Sequence, residues 1–274
     1  MNPVIYFTKF MKGLSAGQIA EKAKSIGFDG LDLAIRKGQV VNPDNVTTEL
    51  SKAMKVFAAH GLTVPLATLE GNAVDPDKPE IEAIFAACGK AGIRLIKLGY
   101  WVWQQNEDYW ARVEQIQSAL AKFEQLGRKH NVCALVHTHC DEYYASNASG
   151  AMTLVRRFDP KYVGVYLDPA HLSVDGELLP MGISIVKSHL RMVAAKSARY
   201  VANGAEAGGA KWKHDWCQLD EGLVHWPSAL KLFKGINYAG PYSLHGEYSA
   251  SEELNKVLPM VARDLAFFRG ALKD

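Results

Sequence analysis

The residues best equipped for chemistry stand where apolar runs stop. "YVGVYLDPAHL" (162–172) finishes in Asp168 and His171, "VHTHC" (136–140) in His137 and His139, and "SLHGEYSA" (243–250) in Glu247. Carboxylates beside imidazoles suit a divalent-cation site or a proton relay, since both need oxygen and nitrogen lone pairs held close together. Cations hold comparable positions, with Lys97 near the end of "IRLIKL" and Lys196 closing "RMVAAK". Plainer readings stay open for each alone. Asp168 before Pro169 can open a turn, His137 can be a satisfied core histidine, the lysines can pack their stems and reach water, and Glu70 can cap a helix.

Residues scattered from 36 to 247 meet only if the chain repeats a unit that returns each of them to one surface. Such a unit is visible. "KSIGFDGLDL", "AAHGLTVPLA", "KAGIRLIKL" and "RKHNVCALVH" each leave a helical segment and enter a strand-like one. Gly27, Gly61, Gly92 and Asn131 fall where a left-handed residue ends a helix, a conformation Gly and Asn adopt cheaply. Ser15 and Gln18 form a capping-box pair, and Leu254, Val257, Leu258, Val261 and Leu265 make an apolar stripe at helical spacing. The spacing predicts strands over 4–8, 30–35, 63–69, 94–98, 133–137, 162–167, 191–196 and 241–247. They are short and rich in Val, Ile and Leu, as parallel strands covered on both faces should be. Eight strands alternating with helices predict an α/β fold, a single-domain (β/α)8 TIM barrel over 1–274. An open doubly wound sheet is disfavoured because no GxGxxG follows the first strand.

Barrel enzymes work at the C-terminal ends of their strands. Read in order, those ends offer Lys9, Arg36, Glu70, Lys97, His137 with His139, Asp168 with His171, Lys196 and Glu247. Residues 197–225 are expected to form a long loop carrying Trp212, His214, Asp215 and Trp216. Residues 99–110 hold Tyr100, Trp101, Trp103, Tyr109 and Trp110. These aromatics suit the apolar face of a sugar ring, or equally a satellite core or an oligomer contact.

Composition narrows the function classes. Hydrophobic residues are 48% and charged ones 22%, the profile of a globular chain with a large core. A net charge of +2 gives no drive toward nucleic acid or an anionic membrane. The four cysteines lack CxxC pairing, and "MNPVIYFTKF" lacks a signal-peptide stretch, so a reduced, cytoplasmic setting is expected.

"GFDGLDL" (27–33), "YLDPAHL" (166–172), "QLDEGLVHW" (218–226) and "SLHGEYSA" (243–250), in this order, resemble the sugar phosphate isomerase/epimerase family. This is the xylose-isomerase-like TIM barrel superfamily, related to endonuclease IV. The resemblance implies a small carbohydrate substrate, one divalent cation (Mn, Zn, Mg or Fe) and a proton moved next to a carbonyl. It places Asp168 and Glu247 at cation-ligand positions, with Glu247, Asp168, Lys196 and Glu70 as candidate catalytic groups. His137 replaces the family's strand-five Glu, and Ala194 stands at its strand-seven His. The implied metal set is His137, Asp168 and Glu247, with water or His214 completing it. Substrate would meet His171, His139, Arg199, Lys97, Trp103, His214 and Arg36. Arg199 and "NGAEAGGAK" (203–211) hint at a phosphate site. The alternatives are a metal-independent reaction in which Lys196 or Lys97 stabilises an enediolate or forms a Schiff base, or a non-catalytic sugar-binding protein. Homo-oligomers are common in the family; nucleic-acid and membrane partners are not expected.

Overall fold

The computed structural model of the chain describes residues 2–206 and 208–273. Eight strands close into a parallel barrel: β1 (Val4–Phe7), β2 (Gly30–Ala34), β3 (Thr63–Thr68), β4 (Leu95–Lys97), β5 (Cys133–His137), β6 (Val163–Leu167), β7 (Leu190–Ala195) and β10 (Tyr242–Leu244). Seven of the eight predicted strands contain one of them and the eighth, 191–196, is displaced by one residue from β7; β1 pairs with β10 to shut the ring. Helices α1 (Ala16–Ile26), α2 (Val46–Ala59), α3 (Pro79–Ala91), α4 (Tyr109–His130), α5 (Ala148–Val155), α6 (Pro169–Val174), α7 (Leu179–Val186), α8 (Trp226–Gly235) and α9 (Leu254–Ala271) occupy the connections.

The joints behave as the sequence implies. Gly27, Gly61, Gly92 and Asn131 all have positive φ, at 106°, 67°, 83° and 53°. Ser15 and Gln18 exchange both capping-box bonds at the start of α1. Gly30 answers to a different need. A Cβ there would lie 2.3 Å from the Thr63 carbonyl oxygen, and the β2–β3 register shifts at this point.

Two cores result from the alternation of side chains along each strand. Outward residues such as Leu31, Leu33, Ile96 and Val136 meet the helices. Inward ones make a smaller lumen core of Ile5, Leu66, Cys133, Leu135, Tyr166, Met192 and Ala194. Two residues further along their strands, Leu66, Leu135 and Ala194 give way to Thr68, His137 and Lys196. The lumen therefore has an apolar floor and a polar top, and the side chains of interest crowd that top.

One expected element is overturned. Residues 197–225 are not a long loop: they begin as an antiparallel hairpin, β8 (Ser197–Glu206) and β9 (Gly209–Cys217). The exposed pairs along it lack the one-sided apolar alternation that marks a strand in sequence. All four cysteines are free and buried, and no described helix is long and apolar enough to cross a membrane.

Candidate active site

A cavity of about 150 Å³ opens at the C-terminal end of the barrel. Phe7, Lys9, Arg36, Thr68, Lys97, Tyr100, His137, His139, Tyr166, His171, His245 and Glu247 supply its wall. A second, more open hollow adjoins it and adds Lys196, His214, Trp216 and Asp141.

Asp168 follows β6 and caps α6. Its Oδ1 accepts from the amides of Ala170 (2.9 Å) and His171 (3.3 Å), while its own amide donates to Thr138 (2.8 Å). Oδ2 is left buried with no hydrogen-bond partner among the described residues, and so is His137 Nε2, 3.6 Å away. Burial raises the Asp168 pKa despite the pull of Lys196. Burial, with the Lys196 charge nearby, holds the His137 pKa well below the ordinary range, so its imidazole is neutral.

Lys196 decides the electrostatics. Its Nζ lies 3.0 Å from Glu247 Oε2, 4.0 Å from Asp168 Oδ2 and 3.7 Å from the Trp216 ring centre. Burial works against its charge, but Glu247 and Asp168 outweigh burial and hold its pKa above that of an ordinary lysine. Burial likewise opposes the charge of Glu247. Lys196, His245 and Lys9 overcome it and keep that carboxyl ionised well below the usual range. Lys9 reaches its other oxygen at 2.7 Å.

Fixed groups flank the two outer histidines. The Cys140 amide donates to His171 Nδ1 at 3.1 Å, and the Lys196 ammonium, which can only donate, lies 3.2 Å from Nε2. His139 donates from Nδ1 to the Cys140 carbonyl at 3.0 Å, and burial, with Lys196 nearby, pushes its pKa down to about 3. His139 thus leaves Nε2 as an acceptor.

Lower in the lumen a polar chain runs from Asp32 to Glu247. Thr68 and Ser243 donate to Asp32 at 2.5 and 2.9 Å. The Tyr166 hydroxyl lies 3.3 Å from Asp32 and 2.7 Å from His245 Nε2, and His245 Nδ1 lies 3.3 Å from Glu247. Sequence reasoning gave no role to Asp32, His245 or Tyr166. The first two were findable: Asp32 sits between outward Leu31 and Leu33, and His245 is two residues before Glu247.

The predicted metal set does not fit a cation as these residues stand. Every described group of three or more donors whose atoms lie within 4.8 Å of one another centres on Cys140, with His139 and His171 or with Asp141 and His214. The set His137, Asp168 and Glu247 is not among them, and the Lys196 ammonium lies between its two carboxylates. His214 lies 3.9 Å from Asp141, on the adjoining hollow.

Three further candidates lie elsewhere. Arg199 is on the hairpin, held by Asp215 (3.0 Å) and Glu221 (3.4 Å), and lines neither cavity. The described residues of the "NGAEAGGAK" stretch are its exposed tip, so the predicted phosphate site has no pocket. Trp103 is 38% exposed and outside both linings; Tyr100 is the aromatic of that loop that reaches the cavity. Glu70 accepts from the Lys37 amide at 2.8 Å and lines neither cavity, so its carboxylate holds a loop after β2.

Residues 20–269 match the model of a family described as xylose isomerase-like TIM barrel. A comparison with curated protein sequences finds no match. Among solved structures, D-psicose 3-epimerase with D-tagatose from Clostridium cellulolyticum H10 superposes with a TM-score of 0.74 at 14% identity, covering 98% of this chain and 99% of that one. The 3-keto-D-glucoside 4-epimerase from E. coli gives 0.72 at 14%, covering 98% and 100%. A xylose isomerase-like TIM barrel protein from Mycobacterium smegmatis in complex with magnesium gives 0.68 at 16%, covering 99% and 98%.

Proposed function

The chain belongs to the xylose isomerase-like TIM barrel family, and from that premise we propose that it is an isomerase or epimerase of a small sugar or sugar acid. In this reading it moves one proton next to a carbonyl. The observation that carries the proposal is the Lys196 ammonium held between Glu247 and Asp168 where the two polar hollows meet.

Glu247 is the proton acceptor. It stays ionised, lines both hollows and is backed by His245. A carboxylate so stabilised is a weak base, and the deficit is made up where the charge goes. Removing a proton beside a carbonyl leaves an enediolate, and the Lys196 ammonium is a fixed cation beside the position that oxygen would take. Arg36, Lys9 and Tyr100 supply donors for the remaining hydroxyls. The similar structures named for sugar 3- and 4-epimerases support the substrate class.

The test is solvent exchange. Incubation with D-fructose, D-psicose and D-tagatose in deuterated water, with and without Mn²⁺, should place deuterium at a carbon next to the carbonyl. Glu247→Gln should slow that exchange about a thousandfold. No exchange into any of these sugars or the corresponding sugar acids would sink the proposal.

A further inference from the structure

Lys97 is a buried amine in contact with no carboxylate among the described residues. β4 contributes only Leu95–Lys97, in register with Thr68 and Leu135 on its two neighbours. Leu95 packs against the lumen core and Ile96 faces the helices, so alternation turns Lys97 into the barrel top. The residue is 2% exposed and lines the cavity. Its Nζ has no hydrogen-bond partner among the described residues and lies 3.5 Å from the centre of the Tyr100 ring. An ammonium has three hydrogens to satisfy, and burying it without an acceptor costs far more than losing the proton. The neighbouring cations act in the same direction: burial, then Arg36, drives the Lys97 pKa well below the ordinary lysine range. Lys196 is the opposite case, fixed as an ammonium by two carboxylates. Of the two lysines, Lys97 therefore has the free lone pair.

We propose that Lys97 is a carbonyl-capturing nucleophile, condensing with the carbonyl carbon of an aldose or ketose in this cavity to form a Schiff base. The nitrogen lone pair attacks the carbonyl carbon and the C=O π pair moves to oxygen, giving a carbinolamine. Both amine hydrogens then leave with that oxygen as water, so the step needs no oxidant or reductant. The resulting C=N, once protonated, acidifies the adjacent C–H and gives the barrel a second route to the same proton shift. The inference rests on the proposed function only in taking a carbonyl compound as the ligand.

Borohydride trapping separates the two. With dihydroxyacetone or D-fructose as probe, hydride from borohydride and a proton from water reduce the C=N. The product gains the mass of the probe less one oxygen atom. Peptide mapping of the wild-type protein should place one adduct on Lys97, about tenfold above labelling of exposed Lys52 and Lys129. Lys97→Met, which keeps an unbranched stem in the same space, should lose it. An absent adduct, an adduct on Lys196, or even labelling of surface lysines overturns the Schiff base. Deuterium exchange persisting without trapping removes only this inference; trapping without exchange removes only the proton-shift reading.

Discussion

Replacing Lys196 by Met removes the one cation that lies between Asp168 and Glu247. At an effective dielectric of about 20, unit charges 3.0 and 4.0 Å apart attract by about 5.5 and about 4 kcal/mol. Desolvation of the buried ammonium offsets much of that, but the variant keeps both carboxylates and loses their partner. Breaking a buried pair from one side costs about 3–5 kcal/mol, or roughly 5–9 °C in Tm for a domain of this size. The same vacated charge should draw in a divalent ion, because Asp168 Oδ2 and His137 Nε2 already face each other without partners. Thermal unfolding of both proteins with and without Mn²⁺ reads both effects. The expected outcome is a large Tm loss in Lys196→Met that Mn²⁺ partly restores, with a smaller Mn²⁺ effect on the wild type. A Tm within about 2 °C of wild type, or equal Mn²⁺ shifts in the two proteins, refutes the view that this ammonium fills a cation's electrostatic role.

Three other predictions follow from the same geometry. His137, His139 and His171 are buried with lowered pKa values, so the unfolded chain takes up protons below about pH 6.5 that the native state refuses. Their stabilisation is complete above that pH and is lost as pH falls toward the folded values, which for His139 is about 3; urea unfolding at pH 7 and 5 should show a clear drop, and a flat profile contradicts it. Asp168→Asn keeps an oxygen for the α6 cap while Asp168→Ala does not, so both should cut turnover but only Ala should cost a further ~1 kcal/mol in unfolding. Tyr166→Phe leaves His245 Nε2 and Asp32 short of a partner and should cost about 1–3 kcal/mol by denaturant titration.

The barrel was legible because its signals are local. Gly27, Gly61, Gly92 and Asn131 punctuate helix-to-strand joints by backbone preference alone, and inward and outward residues alternate within each strand. Asp168, His137 and Glu247 could be placed on one rim for the same reason. What sequence could not supply is how charges pair across strands. Lys196 and Lys97 look alike in the chain, both at strand ends after apolar runs. Only the fold shows that one meets two carboxylates while the other meets an aromatic ring and no acceptor. The hairpin after Lys196 escaped notice because both its faces meet water along much of its length. Arg199 was misplaced with it: its acidic neighbours Asp215 and Glu221 are distant in the chain and arrive only when β9 folds back and the turn after it follows.

The chain of groups linking Asp32 to Glu247 also has a direction. While Glu247 is ionised, His245 points its Nδ1 hydrogen at it, and its Nε2 meets the Tyr166 hydroxyl. Tyr166 in turn donates to Asp32, which also accepts from Ser243 and Thr68. A proton landing on Glu247 undoes that alignment link by link. The state of the carboxyl at the mouth is thereby written into the orientation of a hydroxyl deep inside the lumen, as far as strand β2 on the far side of β1.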